Sequence, residues 1–379
     1  MDRTRKEGAS RGDLSPQLRT LLDAFEERRR PALARAISIV EDERTGFQDL
    51  LDALLRVDGR GGARVGVTGP PGAGKSSLLA ALSKVCREAD EDVGVVAVDP
   101  TSPFSGGALL GDRIRMNDIA MDPGIFIRSM ASRGSLGGLA TTTKEVVDVM
   151  DAFGFPRLFI ETVGVGQAEL EIAAAADTVV VVLVPESGDG IQAMKAGLME
   201  IADIFVVNKA DRPGADRLQK EIALALQLRQ GQAMKQVPAH HGVDRSRIGG
   251  KKTPRAESAP AEATESETWK IPILPTIAQT GEGVPELLEA LDEHRGYLER
   301  SGELKRRRRE RARRRVRDVV ERELRRLARA QIRDDDALEK DLDRIVEGDA
   351  TPYTVARRVL EQLTPEEGAA RLPADEPRA

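Results

Sequence analysis

Gly69-Pro70-Pro71-Gly72-Ala73-Gly74-Lys75-Ser76 is the stretch on which the reading of this chain turns. It meets every fixed position of the phosphate-loop pattern GxxxxGK(S/T), and its setting is right. A short apolar run, Arg64-Val65-Gly66-Val67-Thr68, precedes it, and a helical pattern, Ser77-Leu78-Leu79-Ala80-Ala81-Leu82, follows. Strand, glycine-rich turn and helix in that order let successive backbone N–H groups converge on an anion at the helix N-terminus. Lys75 then reaches the β- and γ-phosphates, the Ser76 hydroxyl sits on Mg²⁺, and Ser77 completes the loop's share of the nucleotide site. A chance Gly-rich turn would not satisfy all these positions at once. The chain is expected to bind a nucleoside triphosphate.

Outward from the loop, apolar runs at 65–68, 93–98, 126–129, 157–161, 178–184, 204–207 and 273–277 alternate with helical segments. Near-continuous Val/Ile runs of this kind predict an α/β fold of the P-loop NTPase type, its mostly parallel sheet covered by helices on both faces. Ligands in such sheets bind at the carboxyl ends of the strands. Helical periodicity also covers 16–57, through Leu18, Leu21, Leu22 and Phe25, then Leu33, Ile37 and Val40, then Leu50, Leu51, Leu54 and Leu55. The expected organisation is a tail and helical region over 1–62, the nucleotide domain over 63–300, and a helical segment over 301–379. Within the nucleotide domain, 229–268 lacks periodicity and reads as a flexible surface insertion. His240 and His241 lie inside it without Cys or carboxylate ligands at metal spacing, so they read as solvated loop residues.

Composition narrows the class. Apolar residues make up 40 % of the 379 but aromatics only 3 %, so the core must be aliphatic. One cysteine, Cys86, excludes an intrachain disulfide and a cysteine-rich metal site. The N-terminus has no apolar signal core, and no run of about 18 apolar residues occurs. A soluble, cytoplasmic protein without a membrane segment is the expectation. The net charge of −5 hides a block in which ten of thirteen residues, 305–317, are Lys or Arg. No aromatics interleave it, so a solvated helix face paired by Glu310, Glu321 and Glu323 outweighs a nucleic-acid contact.

Asn208-Lys209-Ala210-Asp211 follows the run 204–207. An Asp there accepts two hydrogen bonds from guanine N1–H and the exocyclic amine, a donor pair that adenine lacks. Asn208 tethers the loop and the Lys209 stem lies over the base. Thr276-Ile277-Ala278-Gln279, after the last run, is where a backbone N–H can meet the guanine carbonyl. The nucleotide should therefore be GTP or GDP. Asp99, Asp112 and Glu161 lie at or near strand ends around the phosphate loop and make an oxygen shell for Mg²⁺, direct or through water.

With these residues in place, the chain resembles the MeaB/ArgK/MMAA-type GTPases, which assist adenosylcobalamin-dependent acyl-CoA mutases. The resemblance covers roughly residues 30–300 and rests on four stretches. They are the run from Asp99 to Met116 (DPTSPFSGGALLGDRIRM), Gly134-Ser-Leu-Gly-Gly138, Glu161-Thr-Val-Gly-Val-Gly-Gln167 and Asn208-Lys-Ala-Asp211. Glu161 stands where Ras-like GTPases carry Asp, a mark of this branch and of the metal-delivery GTPases. The resemblance implies Mg²⁺ held through Ser76, Asp99, Asp112 and Glu161, and a homodimer formed through a C-terminal helical arm. It also implies a switch loop at 185–197, with Asp189, Gln192 and Lys195, that signals to the mutase. Adenosylcobalamin itself belongs to the mutase, whose loading and reactivation GTP hydrolysis gates. For hydrolysis the candidates are Lys75, Asp112, Glu161 and Gln167, with Gln167 and Asp112 both open as the group that orients the attacking water. The insertion at 229–268 and the density of the Arg-rich run depart from the family pattern. Rival readings are a metal-inserting GTPase, which would carry Cys and His clusters near the nucleotide, a nucleic-acid-binding GTPase, and an ATP-dependent kinase, against which Asp211 speaks.

Overall fold

All seven apolar runs become strands of one sheet: β1 (Ala63–Thr68), β2 (Val93–Asp99), β3 (Ile125–Ala131), β4 (Arg157–Glu161), β5 (Thr178–Leu183), β6 (Ile204–Asn208) and β7 (Ile273–Thr276). The computed structural model describes residues 14–57, 61–99, 116–131, 141–162, 168–185, 197–229, 268–333 and 337–363. Strand order is β3-β2-β4-β1-β5-β6-β7, and every pairing is parallel. Parallel strands need covered faces, and the sequence supplies apolar side chains to both. Along β5, Val179, Val181 and Leu183 enter one core while Val180 and Val182 enter the other.

The first core holds three N-terminal helices, α1 (Pro16–Glu26), α2 (Arg30–Glu41) and α3 (Phe47–Leu54). Ser15 caps α1 by accepting from the Leu18 N–H, and Pro16 pre-sets its first turn. Phe25 meets Phe153 edge to face at 5.1 Å. The opposite core packs α4 (Lys75–Glu88) through Leu78, Leu79 and Leu82. Cys86 is also buried there, and burial pushes its thiol up to about 11, so it is an inert apolar filler at neutral pH. A four-residue helix, α5 (Asn117–Ala120), precedes β3, α6 (Thr141–Phe153) precedes β4, and α7 (Ala168–Ala175) and α8 (Leu198–Ile201) precede β5 and β6. Helix α9 (Ala215–Arg229) follows β6, and α10 (Val284–Arg300) and α11 (Glu303–Arg333) follow β7.

The crossovers into β5 and β6 end on two buried carboxylates, Asp177 and Asp203. Arg307, in the second turn of α11, spans both oxygens of Asp203 at 2.9 Å and donates to the Asp177 carbonyl at 2.8 Å. Arg308 donates to Asp177 Oδ2 at 3.0 Å and to the Gly62 carbonyl at 3.2 Å. Burial alone would push the Asp203 carboxyl up, but the His294 ring and the Arg307 guanidinium outweigh it and hold it below the usual range. Arg307→Met leaves that buried carboxylate only the Val179 N–H and the His294 ring, and stability is expected to fall by on the order of 3 kcal/mol, the low end for a broken buried pair because the arginine is partly exposed and other partners remain. Urea unfolding measures it, and a loss below about 1 kcal/mol would class the pair with ordinary surface bridges. Since the folded pKa lies below the unfolded one, this contribution is complete above about pH 4 and disappears as pH falls further.

The chain divides into two compact units, Met1–Arg309 and Glu310–Ala379. Arg307 and Arg308, near the end of the first unit, are held to it by Asp203 and Asp177. In the second unit the rest of α11 is joined by α12 (Leu338–Glu347) and α13 (Pro352–Leu363). Asp341 of α12 accepts from Arg358 of α13 at 2.9 Å, and Val355 and Val359 are buried. Val316, Val320, Leu324 and Leu327 form an exposed apolar line at helical spacing along α11. No described helix is long and apolar enough to cross a membrane.

Candidate nucleotide-binding site

At the carboxyl edge of the sheet the loop 69–74 leaves central strand β1 and opens directly into α4. Two glycines make that possible. Gly69 has φ +138°, and a Cβ there would stand 2.1 Å from the Val182 carbonyl oxygen. Gly74 has φ +85°, and its Cβ would meet Asn208 Nδ2 at 2.4 Å. Pro70 and Ala73 are buried, Pro71 and Gly72 are exposed, and Ser77 is half-buried in the first turn of α4. The buried Lys75 ammonium donates to the Gly69 carbonyl at 2.9 Å and the Pro70 carbonyl at 3.1 Å, which centres its charge within the loop.

Ser76 points the other way. Its hydroxyl donates to Glu161 Oε1 at 2.7 Å, both side chains being buried. The register explains the meeting: Glu161 pairs with Val67, so the two strands deliver the acid and the loop side by side. A serine hydroxyl and a carboxylate are hard oxygen donors, and together with phosphate oxygens and water they fit Mg²⁺. The backbone of Asp99 ends β2 opposite Ala131. The Asp99 side chain, with Asp112, Gln167, Asp189, Gln192, Lys195 and the insertion apart from its ends, lies outside the described residues.

The turn Asn208 to Asp211 is bound to the phosphate loop. Asn208 Nδ2 donates to the Ala73 carbonyl at 2.8 Å, and Lys209 Nζ donates to the Gly72 carbonyl at 3.0 Å. Lys209 itself adopts φ +58°, so the chain turns sharply there. The Asn208 carbonyl oxygen accepts from the Thr276 hydroxyl and the Ala278 N–H, each at 3.2 Å. Ile277 is held by its N–H to the Glu282 carbonyl at 2.9 Å, and Gln279 is exposed. Asp211 is exposed at the rim, on a turn fixed by the Ala210 N–H to the Thr276 carbonyl at 3.0 Å. The structure thus brings together Gly69 to Ser76, Glu161, Asn208, Lys209 and Ala278.

Sequence reasoning missed the hydroxyls of Thr276, Thr68 and Thr162, all buried. The available signal was a threonine at or just past the end of a strand, next to a motif residue.

The sequence pattern of the family described as Methylmalonyl Co-A mutase-associated GTPase MeaB matches residues 33–333. A chain of Pyrococcus horikoshii named as a GTPase is 43 % identical over 343 residues, covering 90 % of this chain and 97 % of its own length. The mouse methylmalonic aciduria type A homolog, a mitochondrial protein, is 33 % identical over 291 residues, covering 73 % of this chain and 62 % of its own. Among solved structures, one described as LAO/AO transport system kinase is similar with a TM-score of 0.58 and 25 % identity, covering 92 % of this chain and 99 % of the other.

Proposed function

The chain belongs to the MeaB family of GTPases, and from that premise we propose that it hydrolyses GTP to gate cofactor loading and reactivation of an adenosylcobalamin-dependent acyl-CoA mutase. The observation that carries the GTP site is the tie between motifs: Asn208 and Lys209 hold the guanine loop against Ala73 and Gly72, so base and phosphates share one frame. The partner assignment is supported by the family description and by the relative named for methylmalonic aciduria, which favour methylmalonyl-CoA as the mutase's substrate.

Phosphoryl transfer needs positioning and charge neutralisation more than covalent chemistry. The N–H groups of 72–76 and the Lys75 ammonium take up charge on the β- and γ-phosphates. Ser76 and Glu161 would hold Mg²⁺, with Asp99 and Asp112 contributing as the resemblance implies, and the ion would neutralise phosphate charge. Asp211 reads the guanine edge, and Ile277 to Gln279 supply the backbone around its carbonyl. Asp112 or Gln167 orients the attacking water. Asp189, Gln192 and Lys195 belong to the loop that reports to the mutase. The apolar line on α11 supports a homodimer through the helical arm, in the cytoplasm where the mutase works. A nucleic-acid role for the Arg-rich run is disfavoured, because Arg307 and Arg308 are taken up by Asp203 and Asp177, and Arg313 and Arg314 by Glu310.

The test is the GTP hydrolysis rate of the purified protein with and without the mutase from the same source. Acceleration of at least about tenfold, or about 1.4 kcal/mol of barrier, is expected, with GTP preferred over ATP. A rate indifferent to the mutase would send the partner search elsewhere while leaving the GTPase in place.

A further inference from the structure

Just behind the site, two threonines face each other across β1 and β4. Thr68 is the last residue of β1 and immediately precedes Gly69, where the phosphate loop begins. Thr162 is the first residue past β4 and immediately follows Glu161. The Thr162 hydroxyl donates to the Thr68 hydroxyl at 3.0 Å, and the Thr162 N–H donates to the Val67 carbonyl at 3.2 Å, one step beyond the last paired residues, Val67 and Glu161. Both side chains are buried, at 0 and 1 % exposure, so no water competes for the contact.

We infer that Thr162 is a positioning residue: its bridge to Thr68 locks the exits of β1 and β4 together and thereby sets the Glu161 carboxylate against Ser76. The pleat decides how it acts. Neighbouring residues along a strand point to opposite faces, so the bridge lies on the face away from Glu161 and α4. It cannot touch the ion or the nucleotide, and works only through the backbone on which Glu161 sits. A 2.7 Å contact between two prospective metal ligands is sensitive to displacement by a fraction of an ångström, and outer groups that orient ligands commonly govern metal affinity. The role is therefore specific: it tunes retention of Mg²⁺ with the nucleotide and leaves the metal-free grip of Lys75 and the guanine loop alone. This rests on the GTPase reading above.

A fluorescent guanine nucleotide, titrated with Mg²⁺ and separately with EDTA, reads the effect. Thr162→Val keeps the branched shape but removes the donor. It is expected to raise the Mg²⁺ concentration for half-maximal nucleotide retention by about tenfold, with binding in EDTA unchanged. Thr162→Ser, which keeps the hydroxyl, should return to wild type. The double variant Thr68→Val with Thr162→Val separates positioning from the burden of one stranded hydroxyl, since replacing both partners relieves that burden. Positioning predicts that the double variant keeps the full Mg²⁺ defect. Wild-type Mg²⁺ dependence in Thr162→Val, or its recovery in the double variant, would overturn the inference. Wild-type protein that binds no guanine nucleotide would instead overturn the GTPase reading and this inference with it.

Discussion

Lys75→Ala is expected to abolish GTP hydrolysis and to weaken GTP binding by on the order of a hundredfold, about 3 kcal/mol. The ammonium is buried and centred by the Gly69 and Pro70 carbonyls, so its position is set by the loop before any phosphate arrives. On the proposed role, alanine would remove a charge-assisted donor to two phosphates, and little else in the loop could replace it, because the remaining donors are fixed backbone N–H groups. Loss of binding and loss of chemistry are separable. Single-turnover hydrolysis at saturating GTP isolates the second, and nucleotide titration the first. Turnover equal to wild type at saturation would remove the phosphate loop from the mechanism.

Asp211→Asn should cost GTP affinity by on the order of a hundredfold or more and shift preference toward xanthine nucleotides. An amide presents a donor where guanine also presents donors, while xanthine offers a carbonyl in place of the exocyclic amine. The fold should not notice the change. Asp211 is exposed, and its turn is held by Ala210 and Asn208, so unfolding free energy is expected within about 0.5 kcal/mol of wild type. Competition between GTP, xanthosine triphosphate and ATP gives the answer directly. Full retention of GTP selectivity would show that the guanine edge is read elsewhere.

Much of this was legible in the residues. The seven strands were, because a strand buried on both faces must be aliphatic throughout, and runs such as Thr178-Val-Val-Val-Val-Leu183 satisfy nothing else so well. The phosphate and guanine loops were legible because their chemistry fixes residue type and spacing together. Strand order was not, since periodicity carries no information on which strand lies beside which. The long helical pattern over 16–57 became three helices because Arg28 and Glu43 adopt positive φ, a choice that propensity does not announce. Most instructive is the Arg-rich run. Its local pairing, Arg313 and Arg314 with Glu310, follows from helical spacing. Asp203 and Asp177, the buried partners of Arg307 and Arg308, lie 104 and 131 positions away, and only the packed structure brings them within reach.

Those two arginines also decide how the molecule can be taken apart. A shortened form ending at Arg300 would discard the guanidiniums and leave Asp177 and Asp203 buried with less compensation, so loss of nucleotide turnover in it would report damage to the sheet edge. A form ending after Arg309 retains the seven residues 303–309 of α11 that belong to the body, and removes only what lies beyond. A cut that tests whether the second unit serves the proposed self-association therefore belongs after Arg309, inside a continuous helix.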